Sequence, residues 1–349
     1  MARWGIGRLP SVHPTTVLLT RSVAIVLALL VGGAVLAAIG YDVLSLGKRV
    51  AVATFGSPFG LEDLGLLVTP LILTGLATTV TLRIGLWNIG GEGQFYAGAI
   101  GATAAGTFLH GPDPLMLLAM FAAGALGGAL WILIPALARA FAEVNEIITT
   151  LLLNFVAALL VFYLCTGPWR DRKAAVISAT PRIPYEIPEL SGNLHYGILI
   201  AVGVVVVVAG LLAFTKWGYE VRLSGANRHA AHYAGVPVRR RLIEAMLLSG
   251  AVAGIAGMLE VAGTVHHLQG GISNNFGYLG VLVAVLAGNF TLAVLAGSLL
   301  MAVILNGGIV LQSYGMTTNE VLALTGLVLL FTAIGEQLAY YRPVRIAGA

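Results

Sequence analysis

Charged residues are scarce in this 349-residue chain. They make up 10% of it, against 58% hydrophobic residues and a mean hydropathy of +0.93. Ordinary soluble domains carry roughly 25% charged residues, so this chain has too few to cover a water-facing surface. The composition therefore predicts an all-α integral membrane protein, with residues 1–349 forming one polytopic bundle whose solvent is lipid.

Cysteine and lysine are also rare. The single cysteine, Cys165, excludes an internal disulfide framework and a cysteine-based zinc site. None of the three lysines, Lys48, Lys173 and Lys216, stands in a G-x-x-x-x-G-K-[ST] motif, so the chain has no P-loop for ATP. H-E-x-x-H and G-x-S-x-G are absent too, which weakens a membrane protease or lipase hypothesis. We therefore expect no catalysis, metal site or cofactor on this chain. If the chain moves a solute uphill, the energy must come from another subunit or an ion gradient.

Long apolar runs dominate instead. A membrane-spanning helix needs roughly 20 apolar residues. We place spans at about 22–40, 64–83, 92–109, 115–138, 147–165, 197–214, 242–264, 278–294, 295–311 and 320–339. The eighth and ninth are short and divided near Gly288–Asn289, which predicts half-helices or one broken element. The N-terminus begins like a signal peptide, but the run from Ser22 to Ile39 is long enough to be the first span.

The basic residues indicate the orientation. With the N-terminus inside, thirteen of the nineteen Lys and Arg residues fall on the inner side and six on the outer side. This predicts two cytoplasmic termini, an extracytoplasmic loop at about 166–196 and a cytoplasmic loop at about 215–241. Helix signals run through the inner loop from Asn227 to Tyr233. No basic stripe is interleaved with aromatic residues, so we expect no nucleic-acid partner.

A glycine-broken polar cluster lies between two apolar runs at GLWNIGGEGQFYAGA, residues 85–99. Its glycines disfavour a continuous helix, and unwound backbone at membrane depth is tolerated only where it is buried in protein or lines water. Asn88, Glu92 and Gln94 supply the donors and acceptors that such a break needs, and interrupted helices often build transporter sites. The alternative is an ordinary cytoplasmic turn with Glu92 at an exposed helix start, and the spacing alone favours neither.

Two more polar clusters follow. In FAEVNEIITTLLLNF, residues 141–155, Glu146, Thr150 and Asn154 are spaced at i, i+4 and share one helical face. Such a stripe either faces a pore or bonds to a neighbouring helix. In HHLQGGISNNFGYLG, residues 266–280, the glycines and asparagines indicate a re-entrant or broken segment. The adjacent His266 and His267 point about 100 degrees apart on a helix, which makes a poor metal pair.

Small residues recur at helical spacing within the spans. Gly124 precedes Gly128 by one turn, and Gly250 stands in the same relation to Gly254. In lipid, this spacing lets helix backbones approach one another closely. We therefore expect helix contacts at these positions.

Three sequence blocks carry a family resemblance. GLWNIGGEGQFYAGAIGA resembles the signature of permease subunits of bacterial ATP-binding-cassette importers for nucleosides and simple sugars, within the broad group of branched-chain amino-acid and ribose permeases. VNEIITTLLLNF is similar to a second segment of the nucleoside branch, and SGANRHAAHYAGVPVRRRLIEAMLLSGAVAGIAG to its cytoplasmic loop and following span. The blocks lie in the family's order, and the resemblance covers most of the chain from about residue 64. The chain departs from the pattern at His229 and His232, in three consecutive arginines, and at Asn289–Phe290–Thr291.

The resemblance implies a permease subunit in the bacterial inner membrane that forms the translocation pathway for nucleosides or a related small polar solute. Simple sugars and branched-chain amino acids are alternative solutes. The implied partners are a second permease, identical or paralogous, cytoplasmic ATPases that carry ATP and Mg²⁺, and an extracytoplasmic solute-binding protein, often a lipoprotein. By the family pattern, the ATPase-coupling loop includes Gly225, Ala226, Asn227, Ala234 and Gly235.

Five polar residues are the candidates for the solute pathway: Asn88, Glu92, Gln94, Glu146 and Asn154. A nucleobase or ribose needs a few hydrogen-bonding groups in an otherwise apolar passage. Two rival hypotheses stay open. An ion-coupled secondary transporter predicts uptake without ATPase subunits, and an integral-membrane enzyme would use His266 and His267.

Overall fold

The structure is a computed structural model that describes residues 3–8, 14–173, 178–288 and 290–346. Asn289, part of the unusual turn sequence noted above, lies outside the described residues. In chain order, the regular elements of the described part are β1 (Arg3–Arg8), α1 (Pro14–Ile39), α2 (Val43–Phe55), α3 (Pro58–Arg83), α4 (Gly91–Phe108), α5 (Asp113–Ala142), α6 (Glu146–Thr166), β2 (Glu189–Ser191), β3 (Leu194–His195), α7 (Gly197–Phe214), α8 (Lys216–Ala226), α9 (Arg228–Tyr233), α10 (Val238–Leu259), a π-helix (Glu260–Val265), α11 (Phe276–Ala287), α12 (Ala293–Ser313), α13 (Thr318–Leu338) and β4 (Tyr341–Ile346).

The prediction of a polytopic all-α membrane protein is confirmed. Eight helices within the described ranges are long and apolar enough to cross a bilayer: α1 from Ser22, α3, α5, α6, α7, α10 with its π-helix, α12, and α13 to Gly335. The other two predicted spans correspond to the glycine-rich α4 and to α11. At 12 residues, α11 is too short to cross a hydrocarbon core of about 30 Å. The predicted count of ten is therefore approximate, and the predicted eighth span ends early, at Ala287.

Several short elements are additions that apolar run length does not predict. Helix α2 is amphipathic and starts at Asp42, whose side chain accepts a hydrogen bond from the Ser45 N–H at 3.2 Å. Thr215 caps the start of helix α8 in the same way, by accepting a backbone hydrogen bond with its side chain. The strands β2 and β3 form a two-stranded hairpin within the predicted 166–196 loop. Helix α9 begins after Asn227 and ends at Tyr233, which confirms the helix signals in the inner loop.

The chain divides into two compact units, and the division falls within α12. The first unit contains residues 1–57 and 304–349, and α1 packs along α13 in it. Its small apolar core contains Leu36, Leu46, Met316 and Val321. Strand β1 pairs antiparallel with β4, so the two terminal segments lie side by side. The cytoplasmic placement of both termini, and the assignment of residues 1–349 to one domain, stay predictions.

The second unit, residues 58–303, is built around α3 and α10. Helix α10 packs against α3, α4 and α5, while α11 packs against α3 and α4. Because α3 is covered on nearly every side, it has no polar face, and its threonines are satisfied locally. The Thr69 hydroxyl, for example, donates to the Gly65 carbonyl at 2.8 Å, and Thr79 donates to Gly75 at 2.8 Å.

Glycines let α4, α5 and α10 meet backbone to backbone in this unit. A Cβ atom on Gly98 would overlap the Gly254 backbone, and one on Gly128 would overlap the Gly250 carbonyl oxygen. A Cβ on Gly254 would in turn overlap the Gly124 carbonyl. The close helix approach predicted from the small-residue spacing is therefore confirmed.

The glycine contact predicts opposite effects for two Gly→Ala substitutions. Gly128→Ala should lower the free energy of unfolding by about 1–3 kcal/mol, because the added methyl group forces α5 and α10 apart. Gly203→Ala in α7 is the matched control. Nothing lies within 4 Å of its added Cβ, so it should stabilise its helix slightly. The measurement is the thermal unfolding midpoint of the detergent-solubilised variants, and equal shifts for the two would contradict this packing.

Candidate functional site

Residues 84–90, between α3 and α4, form an unwound stretch that we call the broken segment. Buried and exposed residues alternate along its first half: Ile84, Leu86 and Asn88 are buried, whereas Gly85 and Trp87 are exposed. This alternation is typical of extended backbone, and the positive φ of +76° at Gly85 makes the turn that leaves α3. The glycine-rich sequence thus produces the predicted break in the helix.

The broken segment folds back into the bundle. The Asn88 side chain contacts Ser249, whose hydroxyl donates to the Ala77 carbonyl oxygen at 2.6 Å. Ala77 lies six residues before the end of α3, so Asn88 sits about 9 Å inside that end at 1.5 Å per helical residue. The alternative of an ordinary exposed turn is wrong, because Glu92 is only 4% exposed.

The structure brings all five predicted pathway residues to the broken segment and buries them. Their exposed fractions are 1% for Asn88, 4% for Glu92, 1% for Gln94, 7% for Glu146 and 2% for Asn154. Each one is hydrogen-bonded within the protein. Their assignment to the solute pathway stays a prediction.

An amide pair lies at the centre of the cluster. The Asn88 Nδ2 donates to Gln94 Oε1 at 3.0 Å, and the Gln94 Nε2 donates back to Asn88 Oδ1 at 2.9 Å. Asn88 also donates to Ser249 Oγ at 2.9 Å and accepts from the Gly90 N–H at 2.9 Å. All four hydrogen-bonding positions of the Asn88 amide are therefore occupied. Ser249 was not among the predicted residues, and its place in a small-residue face of α10 is the only signal for it in the sequence.

Two side chains of α6 hold the backbone of the broken segment. Asn154 Oδ1 accepts from the Gly93 N–H at 2.8 Å, and its Nδ2 donates to the Ile89 carbonyl at 2.9 Å. About two turns earlier in α6, Glu146 Oε1 accepts from the Trp87 N–H at 3.3 Å. The other carboxylate oxygen of Glu146 pairs with Arg139 at 3.2 Å. The predicted polar stripe on one face of α6 is confirmed, since Glu146, Thr150 and Asn154 are all buried. Glu146 and Asn154 bond to a neighbouring element, whereas the Thr150 hydroxyl donates within α6 to the Glu146 carbonyl at 2.7 Å.

Glu92 connects the two interruptions of the chain. Its carboxylate, in the first turn of α4, accepts from the Gly277 N–H at 2.9 Å, in the first turn of α11. A carboxylate between two helix N-termini is favoured by both helix dipoles. Gly277 lacks a side chain where the backbone of residues 91–92 approaches it. The helices that follow the broken segment and the predicted break within residues 266–280 thus meet at their first turns.

The histidines of the third cluster make ordinary structural contacts. His267 Nε2 lies 3.1 Å from Gln269 Oε1, and His266 Nδ1 lies 3.8 Å from Glu186. Nearby, His195 is buried and accepts from the Gly197 N–H at 3.0 Å. Burial, with His266 close by, lowers the pKa of His195 to about 4, so it is neutral at pH 7. Across the described residues, no group of three or more His, Cys, Asp or Glu side chains could hold a metal ion.

The predicted coupling-loop residues lie in and around α8 and α9. Asn227 caps α9 by accepting from the Ala230 N–H at 3.0 Å, and Gly235 ends the turn after α9 with a φ of +79°. Ala226, Asn227, Ala234 and Gly235 are exposed, as is Tyr233, at 90%. Gly225 differs, because its backbone lies against the end of α3.

Helix α8 is joined to the start of α10 by ion pairs. Arg241 of α10 pairs with both Glu220 of α8 and Glu244. The indole of Trp217 donates to Glu244 at 2.8 Å. Glu220 is 6% exposed and lies 3.8 Å from Lys216 as well, so this buried carboxylate is held between two basic side chains. The α8–α9 segment, residues 216–233, therefore presents an exposed short helix on a fixed base.

The hydrogen bonds of Asn154 predict that its replacement by alanine destabilises the protein more than the replacement of Asn145, the N-cap of α6. Asn154→Ala leaves the Gly93 N–H and the Ile89 carbonyl without their partner and should cost about 1–3 kcal/mol for each group. Asn145→Ala is the control, because Asn145 is an exposed cap that donates no interhelical bond and should cost about 1 kcal/mol. Thermal unfolding in detergent measures both. A loss for Asn154→Ala no larger than that for Asn145→Ala would show that Asn154 does not hold the broken segment.

Comparison with known proteins agrees with this architecture. Residues 60–333 match a family model described as the permease component of the branched-chain amino acid transport system. The chain is 34% identical to the glucose ABC transporter permease protein of Haloferax volcanii, over 93% of this chain and 89% of that protein. It is 35% identical to the guanosine ABC transporter permease protein of Bacillus subtilis, over 86% of each. It is 28% identical to a nucleoside ABC transporter permease protein of Lactococcus lactis, over 92% of each. The chain therefore belongs to the branched-chain amino acid transport permease family.

Proposed function

We propose that this chain is the membrane subunit of an ATP-binding-cassette importer and forms the pathway for nucleosides or a related small polar solute. The observation that carries the proposal is the α8–α9 segment, a short exposed helix on a base of partly buried ion pairs. The chain contains no P-loop, so such a segment is suited to receive motion from a separate ATPase. The family membership and the permease relatives support the same function.

The surface of α9 suits a protein partner. The small exposed residues Ala226, Ala234 and Gly235 allow close seating in a groove, and the exposed Tyr233 supplies an aromatic contact of the kind enriched at interface centres. ATP and Mg²⁺ would then lie on the ATPase subunits. With α9 in the cytoplasm, both termini are cytoplasmic, and the 166–196 loop faces an extracytoplasmic solute-binding protein or lipoprotein. A second permease, identical or paralogous, completes the pathway.

The five buried polar residues supply hydrogen-bonding groups of the kind a nucleoside needs. The amides of Asn88, Gln94 and Asn154 each offer a donor and an acceptor, which match base edges and ribose hydroxyls. In the present arrangement these amides bond to each other and to backbone. Movement of the broken segment would release them for solute, and each ligand shifts that equilibrium only through its differential affinity for the two states.

Sugars are the second candidate solutes. The glucose permease of Haloferax volcanii resembles this chain as closely as the guanosine permease of Bacillus subtilis does. Nucleosides are placed first because the block at residues 144–155 resembles a segment of the nucleoside branch, whereas the block at 85–102 resembles permeases for both solute classes. Both solute classes carry the hydroxyl groups that carboxylates and amides bind.

The test is uptake by the complete complex in proteoliposomes, with its ATPases, partner permease and receptor. We expect radiolabelled guanosine to accumulate only when ATP and the receptor are both present.

Asn88→Ala in the assembled complex should lower the uptake rate by up to about tenfold, which corresponds to the loss of one hydrogen bond of about 1.4 kcal/mol. Accumulation of glucose instead of guanosine would select the sugar candidate. Accumulation by the chain alone, without ATPases, would contradict the proposal and favour an ion-coupled transporter, and normal uptake by Asn88→Ala would remove Asn88 from the pathway.

A further inference from the structure

A backbone-to-backbone contact joins the end of α8 to the end of α3. A Cβ atom on Gly225 would overlap the Arg83 carbonyl oxygen and would lie 3.0 Å from the carbonyl carbons of Arg83 and Ile84. From the other side, a Cβ on Gly85 would lie 3.5 Å from the Gly225 carbonyl oxygen. Gly225 precedes the Asn227 cap of α9 by two residues. The end of α8, next to the start of α9, and the start of the broken segment are therefore in direct contact.

Arg83 extends this contact to a third element. Its guanidinium donates to the Thr291 hydroxyl at 3.2 Å, and Thr291 is 8% exposed. Thr291 lies between α11 and α12, beyond the positive φ of +59° at Gly288 that ends α11. The last residue of α3 thus touches the α8–α9 segment through its backbone and the α11–α12 connection through its side chain.

Each side of the contact is held by bonds to other helices of the same unit. On one side, the pairing of Glu220 with Arg241 ties α8 to α10. On the other side, the broken segment is bonded to α6 through Asn154 and to α10 through Asn88. Protein interiors are close-packed and have low compressibility. A displacement of α8 toward α3 therefore has no gap to close and must move Arg83 and Ile84.

We propose that Gly225 is the positioning residue through which displacement of α9 is passed to the broken segment, and so to the buried polar cluster. This assignment rests on the proposed function, in which α9 docks on the ATPase. It gives Gly225 a different role from the other coupling-loop residues. Gly225 lies against the end of α3, whereas the others are exposed to a partner: Ala226, Asn227, Ala234 and Gly235. Only glycine fits, because any side chain would separate the two backbones.

The experiment compares Gly225→Ala with Gly210→Ala in the complete reconstituted complex. Gly210 lies in α7, and nothing lies within 4 Å of its added Cβ. Three quantities are measured: co-purification of the ATPases, basal ATP hydrolysis, and solute taken up per ATP hydrolysed. For Gly225→Ala complexes that retain their ATPases, we expect solute uptake per ATP hydrolysed to fall about fivefold or more, the usual lower range of coupling between sites. Gly210→Ala should change none of the three.

A second measurement uses the wild-type complex, so it does not depend on whether the Gly225→Ala variant folds. Amide hydrogen exchange is followed in residues 216–227 and 84–93 with and without a non-hydrolysable ATP analogue. We expect the analogue to change exchange in both stretches together. A change confined to residues 216–227 would overturn the proposal, as would uptake per ATP at the wild-type level in assembled Gly225→Ala. If the wild-type complex does not assemble with ATPases or does not transport with ATP, the proposed function itself fails.

Discussion

The structure depends on hydrogen bonds to backbone that leaves the helical conformation inside an apolar bundle. The Trp87 and Gly90 N–H groups and the Ile89 carbonyl lie outside any helix, and lipid offers no water to replace the missing partners. Glu146 and Asn154 of α6 bond to Trp87 and Ile89. Asn88 accepts from the Gly90 N–H, and its amide is held in turn by Gln94 of α4 and Ser249 of α10. This requirement explains why so apolar a chain places its polar residues where it does.

The same need for hydrogen-bond partners links α4 to α11 within the second unit. Glu92 satisfies the first turn of α11, so the two interruptions of the chain share one polar contact. Close packing around the break needs glycine wherever backbones touch, at Gly277 against α4 and at Gly225 against α3. Polar side chains thus fix the position of the broken segment, and glycines allow neighbouring backbones to come into contact beside it.

Much of this was predictable from the sequence, and the limits are physical. Apolar run length predicts the long helices, and the Asn227 cap predicts α9. Run length misses α2, which is amphipathic, and α8, which is polar. It also extends the eighth span too far, although the predicted division near Gly288–Asn289 is confirmed by the end of α11 at Ala287, before the positive φ of Gly288. The five polar residues were recognisable by their place in a break, but Ser249 and the contact at Gly225 were not. Those depend on which distant segments meet, and one sequence does not carry that information.

The most direct test of the account is a cryo-electron microscopy map of the complete complex in lipid nanodiscs, without solute or nucleotide, at side-chain resolution. The account predicts that residues 84–90 lie extended inside the bundle, with the Asn88 amide bonded to Gln94 and Ser249 and the Glu92 carboxylate on the Gly277 N–H. A map in which α3 continues as a helix through these residues, or in which Glu92 faces solvent, would contradict it.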